Sequence, residues 1–276
     1  ALQGLSVNAS GPVPVRTDSN TQMSSDKEVV YVNTYDTSKR VHDFDANWKF
    51  YLGDAEGAEQ VNFDDSAWKT VSVPHDYSIE QEYTQSGEAE SGYLPGGTGW
   101  YRKHFTLTED MKDKEVRIDF GGVYMNATVW VNGTQLGTHP YGYTPFSFDI
   151  TEYVKAGEDN VITVKVDHQT PSSRWYSGSG IYRSVDLTVM DKVHVGLNGT
   201  KIATPNLAKE KDGEVNMDIV TTVANEGKDA KEVTLVHTLR EKGKKDTVAT
   251  VTTDKQSVAA GKTADIEAKL KVNQPK

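Results

Sequence analysis

The chain has 276 residues, 36% of them hydrophobic, with 40 Asp and Glu against 30 Lys and Arg and no cysteine. That length holds one large β domain or two smaller ones around a buried core. A net charge of −10 argues against nucleic acid as a partner, and no apolar run reaches the roughly 18 residues of a membrane helix, so no membrane insertion is expected. Without cysteine there can be no disulfide, thiolate nucleophile or zinc–thiolate centre.

Residues 1–29 ("NASGPVPVRTDSNTQMSSDKE" within them) are polar and aperiodic, which predicts a disordered tail or linker. The chain starts at Ala1 rather than Met, a start that a boundary or the removal of an upstream signal would each produce. From Val30 short alternating runs recur between turn residues: "EVRIDFGG", "ATVWVNGTQLGTH", "FSFDIT", "NVITVKVDH", "RSVDLTVM". This is all-β patterning. Asn132-Gly133 joins two alternating runs with the pair that a type I′ hairpin turn prefers. Helical pattern is confined to single turns around "FDDSAWK" and "DITEYVKAG", the latter capped by Asp149 or Thr151.

Composition changes near residue 191. All five Trp lie before it, whereas the remainder is rich in Lys and Glu and alternates in "EVNMDIVTTVAN", "KEVTLVHTLRE", "DTVATVTTDK" and "ADIEAKLKV". The strand lengths and spacing predict a second domain over 191–276, an immunoglobulin-like sandwich without the cysteine pair. The Asn-Gly-Thr triplets at 132 and 198 sit in unlike patterns and are not read as a repeat.

In the first domain, "NWKFYLGD", "FDDSAWKTVSVPHDYSIEQEY", "ESGYLPGGTGWYRKHF" and "SSRWYSGSGIYRSV" mix aromatic, glycine and charged residues. Rings stack on the apolar faces of sugars while charged groups bond hydroxyls, so the mixture suits a polyol. The commoner role of such residues is sandwich core and tight turns. His75 and Asp76 have the types of a base and its orienting carboxylate, yet neighbours on an extended segment face opposite ways. The seven His show no metal-ligand spacing, and no nucleophile elbow, phosphate loop or dinucleotide fingerprint occurs. Carboxylates are too numerous for any pair to stand out as glycosidic catalysts.

Taken in order and spacing, "NWKF", "FDDSAWKTVSVPHDY", "GGTGWYRKHF", "VWVNGTQLGTHPYGYTPFSFDIT" and "RWYSGSGIYRSV" resemble the amino-terminal part of β-galactosidases of glycoside hydrolase family 2. The resemblance implies a galactose-binding-like jelly-roll β-sandwich over 30–190, then the immunoglobulin-like sandwich, then a (β/α)8 barrel with two catalytic glutamates beyond this chain. It implies that residues 1–276 contain no catalytic residue and hydrolyse nothing alone. It further implies a β-galactoside ligand, the barrel as partner, and a substrate-binding rim at His75, Asp76, Arg174, Trp175 and Tyr176. Neighbouring family activities include β-glucuronidase, and a free-standing carbohydrate-binding or adhesive module is the reading from another class.

Large family members place a carboxylate that reaches sugar and sodium near position 174. This chain has Arg174, so no metal and no cofactor are expected. Gly178 and Gly180 are expected at positive φ, and Arg183 on a strand in a structural ion pair. The polar tail and acidic surface fit a secreted or cell-surface bacterial enzyme, and fit a cytoplasmic one too.

Overall fold

The computed structural model describes residues 39–85, 87–209 and 213–273; the expected tail over 1–29 lies outside them. They divide into two compact units, one ending at Met190 and the other beginning at Asp191. Nearly all regular structure is β, as the alternation requires.

The first unit contains β1 (Val41–Asp43), β2 (Trp48–Leu52), β3 (Lys69–Val71), β4 (Gly97–Thr106), β5 (Glu115–Phe120), β6 (Ala127–Val131), β7 (Thr134–His139), β8 (Phe146–Asp149), β9 (Asp159–His168) and β10 (Val185–Met190). They form a six-stranded sheet, β3-β2-β4-β9-β6-β7, and a four-stranded sheet, β1-β10-β5-β8. Every pairing between these strands is antiparallel. The longest ladder runs from Gly97↔His168 to Thr106↔Asp159. Its period-2 alternation sends Tyr101, Phe105, Ile162, Val164 and Val166 into the core between the sheets, where they meet Ile118, Phe120, Val185 and Leu187. Phe44 packs edge-on against Trp48 and Phe105, with ring centroids 5.8 and 5.2 Å apart, the arrangement that aromatic quadrupoles favour.

Lys103 also points inward. Its ammonium donates to the carbonyls of Phe44 (2.8 Å) and Ala46 (2.7 Å) and sits 3.8 Å over the Phe44 ring. Burial pushes its pKa down to about 7, because a low-dielectric site penalises the charged form.

The Asn132-Gly133 turn has φ of 49° and 80°, the double positive φ of a type I′ turn. Asn132 does more than turn. Its side chain donates to Tyr153 O and Asn160 Oδ1 and accepts from Val161 N–H, closing one end of the sandwich. Asp149, not Thr151, caps the following turn by accepting Thr151 N–H at 2.9 Å; the Thr151 hydroxyl instead donates to Glu115. The "FDDSAWK" stretch is irregular with one turn, Trp68 N–H to Asp65 O. The helical segment over Glu109–Met111, a single 3-10 turn, was not anticipated.

The second unit contains β11 (Val193–Ala203), β12 (Glu214–Asn225), β13 (Lys231–Val233), β14 (Val236–Arg240), β15 (Thr247–Thr252), β16 (Gln256–Val258) and β17 (Lys262–Asn273). One sheet is β11-β12-β17, opposed by the pairs β13-β16 and β14-β15. Val223, Val233, Val258 and Ile266 fill one core cluster, and Ile219, Ala268 and Leu270 a second. The run "KEVTLVHTLRE" breaks in two, because Leu235 N–H leaves the ladder for the Thr253 hydroxyl at 3.0 Å. The second Asn-Gly-Thr triplet makes no hairpin: it forms an irregularity within β11, between Val195 and Thr200, with Asn198 at φ 52°.

Candidate functional site

The "SSRWYSGSGIYRSV" segment lies at one end of the first unit, against the loops that carry His75, Tyr124 and Tyr143. Gly178 and Gly180 have φ of 72° and 118°. From Ser179 to Ile181 the backbone is bonded on both sides. His75 N–H donates to Ile181 O (2.7 Å) and Tyr77 N–H to Ser179 O (2.9 Å), while Gly180 and Tyr124 exchange two 2.9 Å bonds. Ile181 is thereby fully buried.

A buried chain of hydroxyls and one imidazole fixes this arrangement. The Ser78 hydroxyl lies 2.9 Å from Pro95 O and 2.5 Å from the Ser179 hydroxyl. Ser179 meets His168 Nδ1 at 2.5 Å, and His168 Nε2 meets Ser172 at 2.8 Å. The Tyr124 hydroxyl donates to Ser172 at 3.2 Å. Burial holds the His168 pKa below its ordinary value, against the pull of Asp76 and Asp167, so the ring is neutral and can both donate and accept. Ser179 has no solvent exposure, which removes it as a nucleophile: the pair is a brace.

The expected rim residues separate into an inner and an outer set. His75 turns inward, its ring 4.7 Å from Phe50 and its Nδ1 2.7 Å from the Tyr101 hydroxyl. Its Nε2 lies 3.3 Å from Glu80 Oε1, outside hydrogen-bond geometry. Burial lowers its pKa and Glu80 opposes the shift only partly. Asp76 turns the other way, so the two do not pair. Its Oδ1 accepts from Ser78 N–H (3.0 Å) and Ser179 N–H (2.8 Å), and its Oδ2 accepts the Tyr176 hydroxyl.

Arg174, Trp175 and Tyr176 are all exposed, Trp175 at 60% and Tyr176 at 41%. The Trp175 indole N–H donates to the Tyr143 hydroxyl at 2.9 Å. Burial, then the bond to Asp76, raises the Tyr176 pKa far above that of a free phenol. Beside them stand aromatics that the sequence reading did not single out: Tyr141 is exposed and packs edge-on with Tyr143 at 5.6 Å, Tyr143 packs edge-on with Tyr124 at 5.2 Å, and exposed Tyr83 adds to the upward push on the Tyr176 pKa. The stretch "HPYGYTPF" carried that signal only as composition.

Arg183 departs from expectation. It lies before β10, and its guanidinium donates to Gly121 O at 3.3 Å and stands 5.2 Å from the Tyr182 ring centroid; no carboxylate among the described residues pairs with it. The reason is local, since Gly121 and Gly122 bring bare backbone under its stem. Among the described residues no group of His, Asp and Glu could hold a metal ion, and no helix is long and apolar enough to cross a membrane.

The imidazoles give the first unit opposing pH responses. His75 and His168 have folded pKa values below 6.5, so the unfolded chain binds more protons just beneath that pH. Their stabilisation is present above pH 6.5 and is lost as pH falls through the folded values. His104 is raised instead, by its bond to Asp65 against desolvation and then by Asp159, the latter 2.7 Å away. Its contribution is present below pH 6.5 and is lost as pH rises through the folded value. His104→Gln is therefore expected to melt lower than the parent at pH 6, with the gap closing by pH 8.5 in a thermal-melt series; a gap constant across that range would exclude the ion pairs as its cause.

The model of the glycosyl hydrolases family 2 sugar binding domain matches residues 41–191, more than half of the chain. A Bacteroides ovatus protein named Beta-galactosidase BoGH2A is 41% identical over 236 residues, covering 84% of this chain and 27% of its own. A Beta-glucuronidase of Formosa agariphila is 33% identical over 227 residues, covering 72% and 22%. The crystal structure of a glycosyl hydrolase family 2 member from Bacteroides cellulosilyticus superposes with a TM-score of 0.79 at 35% identity, over 86% of this chain and 31% of that one. The chain thus spans about a quarter of the length of the B. ovatus relative. With two all-β units, an aromatic rim built on its first sandwich and this match, the chain belongs to the family 2 glycosyl hydrolases and carries their sugar-binding domain.

Proposed function

We propose that this chain is the non-catalytic amino-terminal portion of a β-galactosidase, its rim forming one wall of the site for a terminal β-D-galactosyl residue. The observation that supports this most is the triplet Arg174-Trp175-Tyr176: it is exposed, yet the backbone just after it is braced from both sides. Rings held this way stack on a sugar without paying loop-ordering entropy on binding. A wall alone encloses little of a ligand, and pockets bury most of theirs. The two carboxylates that retaining hydrolysis needs, about 5 Å apart, belong in this reading to a barrel domain contributed by further chain. His75, behind the rim, supports Tyr101 and does not touch sugar; a secreted or cell-surface bacterial setting remains part of the proposal.

The test is kinetic. In the enzyme that contains this chain, Arg174→Ala and Trp175→Ala are expected to lower kcat/KM on a chromogenic β-galactoside by about 10- to 100-fold, the loss of about 1.4–2.7 kcal/mol of contact. The 276-residue chain alone is expected to give no turnover. Parental kinetics in both variants, with folding intact, would sink the proposal, as would turnover by the chain alone.

One observation favours a second reading, a β-glucuronidase. Arg174 makes no bond to any described carboxylate, and a guanidinium is the natural partner of a uronate. Comparing galactoside and glucuronide substrates in the same assay separates the two.

A further inference from the structure

We infer that Asp76 is a positioning residue: it accepts the hydrogen bond of the Tyr176 hydroxyl, so that Tyr176 meets a ligand only as a hydrogen-bond acceptor. That the ligand is a sugar rests on the function proposed above; the device itself does not.

The carboxylate is anchored before Tyr176 reaches it. Two backbone N–H groups, of Ser78 and Ser179, share Oδ1 at 3.0 and 2.8 Å, which fixes the position of that oxygen. Those two residues are tied together by the 2.5 Å hydroxyl contact and by Tyr77 N–H to Ser179 O. Oδ2 lies so near the loop that a Cβ on Gly178 would stand 2.8 Å from it. A side chain at 178 would push the carboxylate away, so glycine is needed there for close approach as well as for its φ.

A phenol has one proton and two lone pairs. An ionised carboxylate is the strongest acceptor on offer, and a charge-assisted O–H···O⁻ bond is roughly twice as strong as a neutral one. The Tyr176 proton is therefore spent on Asp76, and its lone pairs face outward. The neighbouring Trp175 has likewise spent its single N–H on Tyr143. Within the triplet the only uncommitted side-chain donor is then Arg174. The rim asks for a ligand that offers an acceptor to Arg174 and a donating hydroxyl to Tyr176, with apolar faces for the rings between.

Asp76→Asn makes the test sharp because it keeps shape and reverses polarity. The amide oxygen can still take both backbone N–H groups, but the amide nitrogen now faces Tyr176 as a donor, and the phenol must turn its own proton outward. The probe is nuclear magnetic resonance of the 276-residue chain, with the Tyr176 hydroxyl proton assigned by its loss in Tyr176→Phe. The expected result is a slowly exchanging, downfield hydroxyl signal in the parent that vanishes in Asp76→Asn, while the indole signals of buried Trp48 and Trp100 stay in place. A hydroxyl signal that persists unchanged in Asp76→Asn would overturn the inference. If the core indole signals also move, Asp76→Glu provides the check: a carboxylate there is expected to restore the hydroxyl signal, and failure to restore it would again overturn the inference.

Titration of the enzyme that contains this chain with methyl β-D-galactoside then separates the two claims. A parent that binds, with Asp76→Asn weaker by about tenfold, one missing hydrogen bond, and no further loss in the double variant with Tyr176→Phe, supports both. A double variant weaker than either single one would assign sugar contact to Asp76 itself and overturn the positioning role. If the hydroxyl signature behaves as expected but the enzyme that contains this chain binds no galactoside or glucuronide, the inference stands and the sugar reading falls.

Discussion

Replacing Gly180 with alanine is expected to destabilise the first unit by about 3–5 kcal/mol, backbone strain and overpacking taken together. Two effects combine. At φ 118° an L side chain is strained by about 1–3 kcal/mol. A Cβ there would also stand 2.8 Å from His75 O, with the Tyr101 hydroxyl nearer still. Neither can yield cheaply: the His75 backbone is bonded to Ile181 at 2.7 Å, and Tyr101 is wholly buried and bonded to the His75 ring. By calorimetry the transition of the first unit should fall by on the order of 10 °C. Gly178→Ala is the informative comparison, since its Cβ meets a side-chain oxygen of Asp76 instead of backbone; it should cost less stability while moving Tyr176. A Gly180→Ala variant that melts within about 2 °C of the parent, under 1 kcal/mol on the same scale, would mean that the segment is not clamped as the hydrogen bonds indicate.

The same segment shows what alternation and turn chemistry can and cannot convey. "NVITVKVDH" and "EVRIDFGG" announce β9 and β5 because half of each strand faces one core, and Asn-Gly at 132 announces its turn because few residues tolerate positive φ twice. Positive φ at Gly178 and Gly180 was legible for the same reason. The brace was not, because the Ser78–Ser179 contact joins residues 101 apart and serines in a loop look like turn formers. Lys103 misleads similarly: its place on the inward face depends on two carbonyls, of Phe44 and Ala46, that only the folded chain brings there. The split of "KEVTLVHTLRE" escaped because alternation records which face a residue takes, never which strand lies beside it. At the rim, "RWY" stood out by its residue types, whereas the use of each donor, Trp175 on Tyr143 and Tyr176 on Asp76, needed coordinates.

Arg102 next to that inner lysine carries the other large effect, and it is expected to be electrostatic. Its side chain has no exposure. Nε donates to Asp65 Oδ2 at 2.8 Å, and Nη1 reaches Gln60 O at 3.0 Å, the Thr163 hydroxyl at 3.1 Å and Ala58 O. One guanidinium thus gathers the 58–65 loop over β4. Arg102→Met keeps much of the volume but removes the donor these acceptors share, leaving Asp65 with His104 at 3.5 Å and Ala58 O with the Thr163 hydroxyl at 3.4 Å, a loss of about 3–5 kcal/mol typical of removing one partner from a buried ionic network. Arg102→Lys is expected to recover less than half, because a single ammonium cannot reproduce the fork. Urea unfolding at several pH values identifies the source. Burial alone would raise the Asp65 pKa, and the bonds from His104 and Arg102 overcome it, holding it below the usual carboxylate value of 3.8. A depressed folded pKa means stability present above pH 3.8 and lost as pH falls through the folded value. Without Arg102 that depression shrinks, so the difference between parent and Arg102→Met should be full at pH 7 and narrow toward pH 3, where a protonated Asp65 no longer needs a cation. A difference that stays constant over that range would assign the cost to the lost bonds to the carbonyls of the 58–65 loop and not to the carboxylate.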